Sequence, residues 1–413
     1  MKGLFKLIER YKDLYVIMYV GVGYMKKGMR IFKISALSVL NIILLAIVII
    51  LCILYGRLAS MMSVKKKGNG LYTMNYKQDY HLDKVLNAEI VDEDDLFKYI
   101  CNELFFGYKI DTNISQYGCS AFTTQTPDGE RIVGRNFDLK GTDALCVYTN
   151  PKGGYKSIST VSTDMVAVGG DNKTTPKSFI GRASLLVAPY ICVDGMNEKG
   201  LSASLLDMSY GETHMATDKP NLIVTLAIRL LMDRAATVDE AINLLKQYDV
   251  QTAHGWTQHI FISDASGKSA IVEWVGDEVF VVDYNVCTNF WMSDPTLNGD
   301  YSNQCNRFDL LDTYLKMSDS FKIEDSMLLL RGARQGNTVW SVVYNLDQFE
   351  ADYAINGRYN DIYHINPKNT HEGAIIIIVI IVNILIIGGI TYLIIKPIFK
   401  KKSKNNEENN IEE

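Results

Sequence analysis

The chain places Cys119 in Gly118-Cys119-Ser120, runs on through Ala121 to Thr126, turns at Pro127-Asp128-Gly129 and returns to Arg135-Asn136-Phe137-Asp138. Pro-Asp-Gly is a turn sequence, so the spacing predicts a hairpin that delivers Arg135 and Asp138 close to where the cysteine began. A thiol attacks as its thiolate, and an α-amino group, with a pKa of about 7.7–8.0, is suited to accept the proton at neutral pH. Cys119 supplies both groups only once the bond from Gly118 is cut; in the continuous chain its nitrogen is an amide with no useful basicity. Gly118, having no side chain, is expected to admit the strained backbone that a nitrogen-to-sulfur acyl shift needs.

The hairpin must be held by the elements around it. Ahead of it, Asp92-Glu93-Asp94-Asp95 is an acidic first turn that opens a helix with Leu96, Phe97, Ile100, Leu104 and Phe105 on one face and Gly107 as its stop. Residues 61–87, rich in Lys, Gly and Asn, read as an exposed linker. Beyond the hairpin, apolar strands are expected over 184–193 and 201–207, joined by Met196-Asn197-Glu198-Lys199-Gly200. A buried helix over 222–232 follows, and Thr237-Val238-Asp239-Glu240 is a capping box that opens another helix running to Leu245. Strands return at 259–263, 269–274 and 279–283, then helices at 306–317 and 323–331, then strands at 338–345 and 351–355. Sheet blocks alternating with helix pairs predict an α+β domain in which two sheets are layered between helices.

Two apolar stretches, 34–55 and 374–395, are each long enough as helices to cross a hydrocarbon core of roughly 30 Å. Lys26, Lys27, Arg30 and Lys33 precede the first, and Lys396, Lys400, Lys401, Lys402 and Lys404 follow the second. By the positive-inside rule both termini are expected in the cytoplasm, with the part between the spans outside it; Lys65-Lys66-Lys67 is the one dissenting cluster. The expected organisation is a basic cytoplasmic segment 1–33, a first span, a linker and lead segment 56–118, a catalytic domain 119–360, a second span, and a cytoplasmic tail 396–413. A net charge of −5, with the densest lysines beside the spans, points away from nucleic acid. The seven cysteines form no Cys-x-x-Cys pair, so no zinc site or redox motif is expected. His254 and His259 lack acidic or cysteine partners in a ligating pattern and are read as structural. Asn113-Ile114-Ser115 and Asn172-Lys173-Thr174 fit the glycosylation pattern.

The order Cys119, Arg135-Asn136-Phe137-Asp138, Asp194-Gly195-Met196-Asn197-Glu198-Lys199-Gly200-Leu201, Thr288-Asn289, Asn306-Arg307-Phe308 and Val339-Trp340-Ser341 resembles the choloylglycine hydrolase family of N-terminal-nucleophile hydrolases. That family includes bile salt hydrolases and penicillin V acylases, with acid ceramidase-like amidases as relatives. The resemblance implies a four-layer αββα fold, no cofactor, and a small-molecule N-acyl amide as substrate. It implies that Cys119 becomes the first residue of the mature chain and forms a thioester, that Asp138 orients its amine, and that Arg135 favours the thiolate or contacts substrate. The Asn289 side chain and the Asn197 backbone N–H would receive the oxyanion, and Arg307 would hold the site's carboxylates. The long segment before Cys119 departs from bile salt hydrolases, which remove only a start methionine, and is closer to the acid ceramidase-like relatives. Hydrolysis, acyl transfer to another amine, and a non-catalytic ligand-sensing ectodomain all remain open at this point.

Overall fold

The structure is a computed structural model that describes residues 27–108, 118–139, 141–165, 176, 178–208, 213–252, 256–301, 305–367 and 374–409. It divides into two units, one of Met1–Tyr55 with Gly373–Glu413 and one of Gly56–Glu372.

The larger unit begins at Gly56 within α2 (Tyr55–Ser63), continues through β1 (Lys65–Gly68), β2 (Leu71–Tyr76), α3 (Leu82–Leu86) and α4 (Glu93–Phe105), and then forms the hairpin β3 (Gly118–Gln125) and β4 (Arg131–Asp138). Next come β5 (Ala144–Thr149), β6 (Ser157–Ser162), α5 (Phe179–Ser184), β7 (Asp194–Asn197), β8 (Leu201–Asp207), β9 (Asn221–Ile223), α6 (Val224–Arg234), α7 (Val238–Leu245) and β10 (Asp249–Gln251). The rest is β11 (Gln258–Asp264), β12 (Ser269–Val275), β13 (Glu278–Val282), β14 (Val286–Cys287), α8 (Asn306–Met317), α9 (Ile323–Gly332), β15 (Thr338–Asn345), β16 (Glu350–Ile355) and β17 (Ile362–Ile365).

A nine-stranded sheet runs β1-β2-β5-β6-β7-β8-β11-β12-β13, and a six-stranded sheet runs β14-β3-β4-β15-β16-β17. Helices α6 and α7 pack on β7, β8, β11 and β12, helices α8 and α9 pack on β3, β4, β14 and β15, and β3 meets β8. The layering is therefore helix, sheet, sheet, helix. Alternation along the hairpin serves both interfaces: Cys119, Ala121 and Phe137 join the core between the sheets, while Phe122 and Ile132 pack with Leu311 and Leu330 under the helices. Polar contacts also cross between the sheets, with Thr160 Oγ1 meeting the hydroxyls of Tyr344 and Tyr353 at 2.9 Å each.

The helix after Asp92 is present, with Asp92 accepting from the Asp95 N–H and Phe106 closing it in the left-handed region. Two expectations fail. Residues 61–87 are not an exposed linker: Leu71, Met74 and Tyr76 of β2 are buried, and β2 pairs in parallel with β5. The strand's own pattern was obscured by the Lys and Gly around it, and its parallel partner was invisible without the fold. The expected strand over 184–193 is instead the end of α5 and a 3-10 turn over Leu185–Tyr190 containing Pro189. A continuous apolar run buried on all sides carries no period that separates strand from helix.

In the smaller unit, α1 (Lys27–Ile53) and α10 (Ala374–Asn409) pack together, with Asn41 Nδ2 donating to Thr391 Oγ1 at 2.8 Å. Both stretches expected to cross a membrane are therefore helical. Over the described residues no single helix is long and apolar enough to do so: Leu37–Ile53 reaches the required length only together with Tyr55–Ser63 across a break, and the apolar part of α10 is Ile380–Lys396.

Candidate active site

The hairpin register sets Cys119 opposite Phe137, Ala121 opposite Arg135, and Gly118 opposite Asp138. Opposed residues share a face, so Arg135 and the thiol lie on the side facing the nine-stranded sheet, and Asp138 lies on the other. Gly129, at φ 86°, closes the turn in a conformation suited to glycine. Trp340 of β15 stacks on Phe137 with ring centroids 4.0 Å apart, walling the thiol's surroundings with aromatic surface.

Cys119 is fully buried. Arg135 Nη2 lies 3.3 Å from its Sγ and also donates to the Leu205 carbonyl at 2.9 Å. The guanidinium is aimed by Asp194, whose carboxylate accepts from Arg135 Nε, Trp340 Nε1 and the Tyr344 hydroxyl. Burial pushes the Cys119 thiol up; Arg135 opposes that, Asp138 and Asp207 add to it, and Arg307 opposes it. At neutral pH the thiol of the continuous chain therefore keeps its proton, and attack needs a base.

The backbone of Cys119 is gripped from the other side. Its N–H donates to Asn289 Oδ1 at 2.8 Å, and its carbonyl accepts from Arg307 Nη1. Arg307 stands at the start of α8 and also reaches Asn289 Oδ1 at 2.9 Å and Asp138 Oδ2 at 3.3 Å. With two donors on Oδ1, the amide of Asn289 is fixed with Nδ2 toward the Asp207 carbonyl. Nδ2 has two hydrogens, and Asp207 takes one. Asp138 accepts from the Thr338 hydroxyl as well; burial raises its carboxyl, and Thr338, Arg307 and Arg135 lower it in part.

Gly118 is not at positive φ. A Cβ there would lie 3.2 Å from Asp138 Oδ2, so the glycine's role is to leave room for that carboxylate, not to supply a strained backbone.

The structure thus gathers Cys119, Arg135, Asp138, Asn289 and Arg307. Asn197 is the exception. Its Nδ2 donates to the carbonyls of Met232 and Ala235, and its Oδ1 accepts from the N–H groups of Lys199 and Leu201. It braces the β7–β8 turn against the end of α6, and Leu201 lies about 14 Å along β8 from Leu205, at roughly 3.4 Å per residue. The motif located a turn, but the strand that leaves it carries the site to its far end. Sequence reasoning gave no role at the site to Asp194, Asp207, Thr338, Trp340 and Tyr344. A lone carboxylate inside Ile191-Cys192-Val193-Asp194-Gly195 was the available signal, because a buried charge calls for a partner. His254, Asn113 and Asn172 lie outside the described residues, and all seven cysteines are free thiols. Among the described residues no cluster of three His, Cys, Asp or Glu could hold a metal.

Comparison with known proteins bears on this cluster. A family model described as linear amide C–N hydrolases, choloylglycine hydrolase family, matches residues 119–326, beginning at Cys119 itself. Penicillin V acylase of Pectobacterium atrosepticum is 36% identical over 110 residues, 23% of this chain and 29% of that protein. Bile salt hydrolase/transferase of Clostridium perfringens is 26% identical over 180 residues, 41% of this chain and 51% of that protein. The matches thus span about half or less of the length of these curated relatives. Among solved structures, a mutant conjugated bile acid hydrolase from Clostridium perfringens aligns over 61% of this chain and 93% of its own, with a TM-score of 0.44 and 18% identity. Penicillin V acylase from Agrobacterium tumefaciens aligns over 61% and 87%, with a TM-score of 0.43 and 18% identity. With the family model covering half of its length from Cys119 onward, the chain belongs to the choloylglycine hydrolase family of linear amide C–N hydrolases.

Proposed function

We propose that this protein hydrolyses a linear amide C–N bond with Cys119 as its N-terminal nucleophile. The observation that carries the reading is the grip on Cys119: its nitrogen sits 2.8 Å from Asn289 Oδ1 while its sulfur sits 3.3 Å from Arg135 Nη2, so nucleophile and base-to-be are held on one residue. Hydrolysis of the Gly118–Cys119 bond frees the α-amine. That amine takes the thiol proton as Sγ bonds to the substrate carbonyl carbon, then gives it to the leaving nitrogen as the C–N bond breaks. Water, deprotonated by the same amine, releases the acyl group from the thioester. Arg135 stabilises the thiolate, Asp138 and Arg307 orient the amine end, and the second hydrogen on Asn289 Nδ2 meets the oxyanion. The same thioester can pass its acyl group to an amine, and one relative is named a hydrolase/transferase, so a bound amine would divert the reaction.

Anchoring by α1 and α10 completes the reading, with both termini cytoplasmic and the catalytic unit outside. Its support is the two apolar stretches, their basic outer flanks, and the exposed Ile42, Ile53 and Leu385 on helices that pair through Asn41 and Thr391. A site held at a bilayer favours an amide with a lipid-like acyl group.

Intact mass of the purified full-length protein should show a new N-terminus at Cys119, and amine release should follow from penicillin V, conjugated bile salts or long-chain N-acyl amino acids. Full activity from an uncut chain, or a cut chain inert toward every acyl amide, refutes the enzyme reading. An impermeant protease on intact cells should degrade 56–372; protection of that segment until lysis refutes the topology.

A further inference from the structure

Beneath the segment that carries Asn289 lies a charged pair that the mechanism above does not use. His259 of β11 and Glu273 of β12 are both fully buried, with Nδ1 3.0 Å from Oε1. The other ring nitrogen, Nε2, lies 2.7 Å from the carbonyl oxygen of Thr288, the residue before Asn289. Glu273 accepts from the Met292 N–H at 2.9 Å on Oε1 and from the Ser293 N–H at 2.8 Å on Oε2.

These partners fix the protonation state. A carboxylate accepting from that many N–H groups has no proton of its own, and a ring whose two nitrogens both face acceptors must carry hydrogen on each. His259 is an imidazolium and Glu273 a carboxylate. Burial alone would lower the histidine, but Cys287, whose Sγ lies 3.3 Å from Nε2, and Glu273 raise it to about 10. In the contacts described, Glu273 from β12 and Cys287 from β14 are the titratable side chains against the ring.

The pair therefore holds the segment 288–293 at both ends, through the Thr288 carbonyl and the Met292 and Ser293 N–H groups. Asn298 closes the middle by exchanging two hydrogen bonds with the Trp291 backbone. The clamp belongs to the nine-stranded sheet, whereas Asn289 continues from β14 at the edge of the other sheet. A buried ion pair is a weak source of net stability, and its best-attested use is to specify one arrangement.

We infer that the His259–Glu273 pair positions Asn289, fixing across the two sheets the side chain on which the Cys119 nitrogen and Arg307 depend. The inference rests on the proposed role of Asn289, so the test is a double-mutant cycle in the full-length protein. Glu273→Gln keeps the volume and removes the charge. It should lower kcat about tenfold with KM within about threefold, the scale expected of a sub-ångström misplacement. In an Asn289→Ala background the same change should cost less than about twofold, because the residue it acts through is gone. Wild-type kcat in Glu273→Gln, or a full loss on top of Asn289→Ala, overturns the inference while leaving the site reading intact. Undiminished turnover in Asn289→Ala overturns the site reading and the inference with it. Nitrogen-15 spectra of labelled histidine in the unmutated protein, independent of any variant's folding, should show both His259 ring nitrogens protonated at pH 8; a neutral ring overturns the clamp.

Discussion

Asn289→Ala is the most informative single change, because one side chain makes three bonds with three different consequences. It removes the acceptor for the Cys119 nitrogen, an acceptor for Arg307 Nη2, and the Nδ2 donor that also bonds the Asp207 carbonyl and to which the proposed mechanism gives the oxyanion. Losing one oxyanion donor costs roughly 10²–10³ in kcat, about 2.7–4 kcal/mol of transition-state stabilisation. Losing the acceptor leaves a buried N–H unpaired, at about 1–3 kcal/mol of stability. The unit should still fold, since Arg307 keeps its bonds to Asp138 and the Cys119 carbonyl. The expected result is a kcat reduced at least about 10²-fold with KM little changed, and slower appearance of the Cys119 N-terminus, since the same carboxamide holds the scissile amide. Amine release by the matured fraction, normalised to the amount of Cys119 N-terminus, measures the first effect, and the time course of the intact mass measures the second. Turnover within about threefold of wild type would remove Asn289 from the chemistry and refute the reasoning.

Gly118→Ala should slow maturation severalfold while leaving turnover of already mature enzyme unchanged, since the added Cβ presses on Asp138 Oδ2 only before cleavage; intact-mass time courses check it. Asp194→Asn should lower the denaturant midpoint by the equivalent of about 3–5 kcal/mol, because it strands the buried Arg135 guanidinium; an unchanged midpoint would contradict the role given to that pair. His259, raised to about 10 in the folded chain, contributes stability that is fully present below its unfolded value of about 6.5 and lost as pH rises through about 10. Melting temperature should therefore fall between pH 7 and 10, and His259→Gln should flatten that slope.

Much of the site was legible because hairpins are local. Pro127-Asp128-Gly129 fixed the reversal, and an alternating strand on each side then set Gly118 opposite Asp138 and Ala121 opposite Arg135 with no reference to the rest of the molecule. Local signals likewise located α7 through its capping box, α8 and α9, and the strands β11, β12, β13, β15 and β16, each within a residue or two, but not the short edge strands β14 and β17. Long-range pairing was not legible. The lead segment donates β2 to the nine-stranded sheet beside β5, and neither strand announces a parallel partner some seventy residues away.

By itself, then, the sequence singled out Cys119, the hairpin that presents it, and the family, since all three rest on residues close together or in a fixed order. Tertiary structure decided which distant residues complete the site. It carried Leu205 to the thiol and Asp207 to Asn289 along β8, left Asn197 behind at the opposite end of that strand, and drew Asp194, Trp340 and Tyr344 around Arg135. The reason is physical: a turn motif is set by local dihedrals, but which end of a strand meets another sheet depends on how two hydrophobic faces pack. The same packing set His259 against Glu273 and the Thr288 carbonyl, a grouping with no spacing in the chain to reveal it.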